Sequence, residues 1–401
     1  MLGWTLLSRD ALRRAESRLL QDSQGVRDEI GFLTLHQVYA DRFFPGTSVL
    51  HTRLRYALFV PWMYEQVVHQ NTGGPIGTRI QRMELWLTGR LKAANEDGVI
   101  GGRVYPRPAV QSAAMSYWSA LGSWGILRPK PDGSLPSRTA VHRRIRSLRA
   151  GMARQLDDDK EPLEVPQSLF VVLPNPPKAW EQDETRLDFN LTPQEARFFR
   201  KHWSSLKRRD GAAALFARLA IDGRDVSKAK SAWSPALRLV ADSDDRAALE
   251  RAKRVSALAA IGRAIYAAQV ETLRAQEDNL PTPNEWRTGW KVFAAEYWPD
   301  AKDLDINSVL LDISSGIKPP IQTVLEETHS WMRRGGRSVL DLLDVYCDSE
   351  VSRKGGRARL PFTKGGRERR AEWKADDTPA GPLHYRWPWV KMLITDMLRA
   401  L

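Results

Sequence analysis

The sequence predicts a mainly α, multi-helical protein with a winged-helix-like module and an extended, Pro-rich connector. Three observations predict this. Apolar residues recur at three- and four-residue steps through most of the chain, the spacing of one helical face. Capping boxes, in which a Thr and a Glu or Gln three residues later satisfy the first free amides of a helix, stand before several of these runs. Only one run, Leu169–Leu173 between clustered prolines, reads as a strand.

Taken in order, residues 10–20 read as a short amphipathic helix, and Thr34-Leu35-His36-Gln37 as a capping box for a helix ending near Phe43. Pro45-Gly46 forms a turn, with Thr47 or Ser48 placed to cap a helix on which Leu50, Leu54, Leu58 and Trp62 share a face. His51 and Arg55 fall on another face of that helix with Arg53 between them, and Pro61 kinks or restarts it. An alternating strand through Leu54, Tyr56, Leu58 and Val60 is the other reading. A Gly-rich break at 71–75 precedes a helix over about 77–94 carrying Ile80, Met83, Leu87 and Leu91.

Residues 111–156 form the winged-helix-like module. Ser112 caps a helix with Met115, Tyr117, Trp118 and Leu121, and Pro131-Asp132-Gly133 marks a turn. Val141, Ile145, Leu148, Met152 and Leu156 then give a second helix. That helix bears Arg138, Arg143, Arg144, Arg146, Arg149 and Arg154 with no acidic residue between the first and the last. Such a stripe suits phosphate contacts; the alternative is a solvated face balanced by Asp157–Asp159.

The domains expected are a helical one over 1–165, the Pro-rich connector over 166–190 and a second helical one over 191–401. The last opens on the box Thr192-Pro193-Gln194-Glu195, followed by a long helix over about 243–276 and a second box, Thr282-Pro283-Asn284-Glu285. Near its end Gly-Gly-Arg occurs three times, ending at Arg337, Arg357 and Arg367. Residues 353–370 carry Arg353, Lys354, Arg357, Arg359, Lys364, Arg367, Arg369 and Arg370 against Glu368 alone, as a basic arm that tracks a phosphate backbone or as a disordered basic loop. The aromatic segment 383–389 leads into an apolar terminal helix expected to dock on the fold.

Sixty-one Lys and Arg against 48 Asp and Glu give a net charge of +13, which argues for a polyanionic partner, most often nucleic acid and less often an anionic membrane, or else for a basic but inert surface. Of the nucleic acids, DNA is expected before RNA. Cys347 is the only cysteine, so there is no disulfide framework and no cysteine-ligated zinc site, and a cytoplasmic location fits. No run approaches 18 apolar residues, so no membrane span is expected.

Motifs for chemistry are missing. There is no GxxxxGK[ST] loop, no GxGxxG after a strand, no HExxH and no GxSxG, so no cofactor or metal is expected. The seven His show no ligand spacing. His51, Arg53 and Arg55 form either a phosphate-clamping or general-acid cluster or a set of buried, hydrogen-bonded structural residues. Trp118, Trp124, Trp387 and Trp389 lie near basic residues and suit either base stacking or the core.

The chain resembles an uncharacterised family of bacterial proteins of about this size. The resemblance rests on Leu2-Gly3-Trp4, FPGTSVLHTRLRYALFVPW at 44–62, Gly98-Val99-Ile100-Gly101, SYWSALGSWGIL at 116–127, LTPQEARFF at 191–199 and LHYRWPWVK at 383–391. It implies companionship with helicases and nucleases in phage-defence clusters and assigns no catalytic residue. The function expected is therefore a non-enzymatic nucleic-acid-binding subunit of a defence or DNA-processing assembly. A metal-dependent nuclease or toxic effector centred on His51, and a protein–protein adaptor with a basic surface, are the rivals.

Overall fold

A computed structural model describes residues 30–70, 74–152, 168–182, 186–313, 317–375 and 380–401. The expected helix at 10–20, Arg154 and Asp157–Asp159 lie outside the described residues. The described chain is mainly helical, and its only β pairings are two isolated bridges, Leu127 with Phe170 and Lys207 with Ala213. It divides into two compact units. One comprises residues up to Val38 with Ala247–Leu383, the other Tyr39–Arg246 with His384–Leu401. The expected division at 166–190 therefore falls inside one unit. The reason is burial: Phe170, Leu187 and Phe189 of this Pro-rich stretch are core residues there.

The unit containing residues 39–246 includes the end of α1 (Phe32–Phe43), then α2 (Tyr56–His69), α3 (Ile76–Ala93), α4 (Ala113–Ser123) and α5 (Arg138–Met152). The short α6 (Lys178–Glu181), α7 (Pro193–Ser204), α8 (Leu215–Asp222) and α9 (Pro235–Val240) follow. Helix α4 starts where expected, with Ser112 accepting the Met115 amide, and Glu84 accepts the neighbouring amide of Ala114 at 2.9 Å. The box at α7 forms in full: Thr192 accepts the Glu195 amide and Glu195 accepts that of Thr192. Trp124, Trp203 and Phe216 pack ring on ring in this core, with centroids 5.4 and 4.4 Å apart. Terminal helix α16 (Trp387–Leu398) buries Leu393, Ile394 and Met397 in the same unit.

Two expectations fail here for a common reason, partners distant in sequence. The helix expected from about residue 48 begins only at Tyr56. The Tyr117 hydroxyl accepts the amides of Thr52 and Arg53, and Asp396 accepts that of Leu54, so these donors are held outside a helix. Leu50, meant for the buried face, is 41% exposed. The wing of the winged-helix-like module does not form either. The turn at 131–133 closes, with Gly133 at φ 77°, but Leu127 pairs with Phe170 rather than across the turn.

The other unit is built on α10 (Ser243–Gln276), whose Leu249, Leu258, Ile261, Ile265 and Leu273 are buried as their spacing predicts. It continues through α11 (Glu285–Lys302), α12 (Ile306–Asp312), α13 (Pro319–Arg333), α14 (Leu343–Lys354) and α15 (Lys364–Ala371). The box expected at Thr282 does not form. Asn284 takes the cap position at φ 59° without a side-chain bond, and buried Glu271 instead accepts the Arg287 amide at 2.7 Å. No described helix is long and apolar enough to cross a membrane.

Candidate nucleic-acid interface

Helix α5 holds the clearest concentration of charge. Its apolar positions Val141 and Ile145 are buried, which turns Arg143 and Arg146 outward, where both are exposed. Arg138 is half-buried, its Nε donating to the Tyr64 hydroxyl at 3.4 Å, and His142 bonds the same hydroxyl at 3.0 Å. Burial and the neighbouring Arg138 and Arg146 lower the His142 pKa, so its ring stays neutral in a positive field. Arg149 lies further along this helix.

Beside α5 opens a cleft of about 560 Å³ that the sequence did not reveal. Arg128, Lys130 and Arg144 line it together with Pro129, Pro131 and Ala140, and its walls carry no acidic side chain. Arg128 is aimed by its Nε, which donates to the Phe170 carbonyl at 2.8 Å, and Lys130 by the turn, in which its amide donates to the Ser134 carbonyl at 2.9 Å. The nearby carboxylate of the turn, Asp132, is engaged by the amide and hydroxyl of Ser134, which hold its pKa below the ordinary value. The basic Arg-Pro-Lys-Pro run flanking this turn was the available signal.

The 353–370 segment is folded, which corrects the expectation of an arm. Helix α14 ends on Arg353 and Lys354, a 3₁₀ turn spans Gly355–Arg357, and Thr363 caps α15. Buried carboxylates organise it. Glu350 accepts the amides of Arg359 and Leu360 at 2.9 Å each and pairs with Lys354 at 3.0 Å. Asp278 takes Arg370 bidentately at 2.6 and 2.7 Å, while Arg370 also donates to the carbonyls of Arg359 and Pro361 and is only 2% exposed. Arg367 donates to the Asp278 carbonyl and Arg369 pairs with Glu372. Arg357 and Arg359 are half-buried, leaving Lys364, Arg367 and Arg369 as its exposed cations. Gly366 serves packing, since a Cβ there would stand 2.2 Å from the Pro361 carbonyl oxygen.

The His51 cluster resolves into structural residues. His51 Nδ1 accepts the Ser48 amide and Nε2 donates to the Ser116 carbonyl at 3.0 Å, so both ring nitrogens are occupied. The ring stacks on Tyr117 at 4.4 Å. Burial, then the nearby Arg386, push its pKa down to about 4. Arg53 grips Asp396 bidentately at 3.0 and 3.2 Å and lies 4.7 Å from the Phe189 ring centroid. Arg55, 4% exposed, pairs with Glu195 at 2.9 Å and Asp188 at 3.2 Å. These carboxylates come from residues too distant in sequence to be paired by inspection. Trp124 and Trp387 are core residues whose indole nitrogens donate to the carbonyls of Pro45 and Ala229, and that of half-buried Trp118 donates to Pro136.

A second cavity, about 300 Å³, lies among Tyr56, Glu84, Thr88, Ile100, Arg107 and Arg138. Its one carboxylate, Glu84, is the group that accepts the Ala114 amide at the start of α4. Among the described residues no three His, Cys, Asp or Glu side chains converge to hold a metal ion.

Fold and site together define a basic, helical protein with an acid-free cationic face on one helix. The chain belongs to a family of unknown function (DUF6361), which it matches over residues 1–298. That stretch takes in the motifs at 44–62, 98–101, 116–127 and 191–199 and stops before 383–391. No curated protein and no solved structure matches the chain.

Proposed function

We propose that this protein is a non-enzymatic nucleic-acid-binding subunit, for DNA before RNA, of a bacterial phage-defence or DNA-processing assembly in the cytoplasm. The observation that carries the binding function is α5 with its cleft. Arg143 and Arg146 face solvent on a helix without a carboxylate, and Arg128, Lys130 and Arg144 line the adjacent 560 Å³ cleft. Guanidinium groups spaced along a helix match successive phosphates, which position a protein on nucleic acid without reading sequence. The assembly and its helicase or nuclease partners rest on the family resemblance alone.

The test is fluorescence-anisotropy binding to duplex DNA, single-stranded DNA and RNA across a salt series, beside the double variant Arg143→Ala, Arg146→Ala. Binding should weaken steeply with salt, and the double variant should lower the log–log slope by about 2, since each phosphate contact on duplex DNA contributes roughly 0.9. Absence of binding at low salt would overturn the proposal in favour of an adaptor whose basic face meets an acidic protein.

A further inference from the structure

Helix α11 carries a recess that the charge argument does not use. Trp290, Ala294, Ala295 and Trp298 form it with Lys291 and with Gly336 from the turn after α13, as an open, shallow recess of about 390 Å³. That lies within the roughly 300–1,000 Å³ of small-ligand sites. Ala294 is buried, Ala295 exposed and Trp298 half-buried, so part of the Trp298 side chain reaches the mouth.

The aromatic wall is fixed in place. Trp331 stands behind it, its centroid 5.7 Å from that of Trp290 and 6.1 Å from that of Trp298. Its own indole nitrogen is locked to the Ser338 carbonyl and the Asp341 carboxylate, both at 3.1 Å. Gly336, at φ 35°, lets the turn lie directly on both rings, because a Cβ there would stand 2.8 Å from Trp331 and 2.9 Å from Trp298. A preformed aromatic surface loses little entropy on stacking a planar ligand.

Charge selects among the planar and apolar ligands such a surface would take. Lys291 is at the recess, its Nζ 5.6 Å from the Trp290 ring centroid. The turn that closes the recess is the first Gly-Gly-Arg, and Arg333, Arg334 and Arg337 around it are all exposed. Of the acidic residues nearby, Asp300 pairs with Lys253 at 2.8 Å, Asp341 accepts from the Trp331 indole and Glu296 is exposed, against these four cations. Cations at the rim repel the quaternary ammonium groups that aromatic recesses otherwise favour. They attract a ligand that pairs a π-face with phosphate.

We infer that the recess accepts one unpaired base of a single-stranded nucleic acid, stacked on Trp298, with its flanking phosphates met by Lys291 and Arg337. This rests on the nucleic-acid reading above and narrows it to strands with accessible bases, because a base paired within a duplex does not present its face.

The test compares the full chain's affinity for a labelled single-stranded oligothymidine, an abasic strand of the same length and a duplex, at one moderate salt concentration. The base-bearing strand should bind about tenfold more tightly than the abasic one, as expected for one aromatic–base stack. Trp298→Ala should abolish that preference while leaving the salt slope unchanged, and Trp298→Phe should keep most of it. Ala295→Leu fills the recess from an exposed position without removing a packed ring, and should reproduce the loss in a chain that still folds. Equal affinity for base-bearing and abasic strands, or a preference that survives Ala295→Leu, would overturn this inference and leave the α5 interface standing. No binding to any of the three strands at low salt would overturn both.

Discussion

Two Arg-rich segments, 138–149 and 353–370, look alike in sequence and differ in what faces them. In the second, buried Asp278 and Glu350 reach Arg370 and Lys354, and backbone carbonyls accept further guanidinium protons. On α5, Arg143 and Arg146 stay at the surface, and the adjacent cleft adds more cations. A run of like charge therefore predicts a ligand site only where the fold brings no internal carboxylate to it. The largest test of this contrast is stability. Arg370→Ala leaves Asp278 buried without its partner and should cost about 3–5 kcal/mol in urea unfolding. Arg143→Ala and Arg146→Ala should each stay within about 0.5 kcal/mol of the parent, as surface substitutions do. Equal costs at the two places would remove the distinction.

His51 sharpens the same contrast from the neutral side. The unfolded chain takes up a proton near pH 6.5, whereas in the fold burial delays this until about 4. Unfolding therefore binds a proton between these values, and stability falls as the medium is acidified through that window, by roughly 3 kcal/mol in total. His51→Gln should flatten this part of the stability-against-pH curve. Asp278 acts lower: the Arg370 hydrogen bonds hold its pKa below the ordinary 3.8, so its contribution is complete above that value and is lost as pH falls through the depressed one. Asp278→Asn should remove that lower step, so two separable acid limbs are expected in chemical-denaturation curves.

Much of the fold was legible because it is local. The period of α10, the box at Thr192 and the Ser112 cap all depend on residues within one or two turns, and each forms as written. What was not legible depends on partners far along the chain. Residues 52–54 stay outside a helix because Tyr117, and Asp396 at a separation of 342 residues from Leu54, take their amides. The wing fails because Phe170, inside the stretch that reads as a Pro-rich connector, offers Leu127 the pairing. On the candidate interface, Arg143 and Arg146 were readable from the buried Val141 and Ile145 that turn them outward. Arg128 and Lys130 join them only through the turn and the Phe170 carbonyl.

The smallest expected effect lies within 353–370 itself, between adjacent residues of opposite fate. Arg369 is exposed and pairs with Glu372, three residues on, whereas Arg370 is enclosed. An exposed pair of this kind contributes at most about 1 kcal/mol. Lys364→Ala with Arg369→Ala should therefore leave the urea midpoint almost unchanged, and should lower the log–log salt slope for duplex DNA by less than the α5 pair does. A slope reduced by about 2 in this variant, with the α5 variant unaffected, would move the phosphate contacts from α5 to α15.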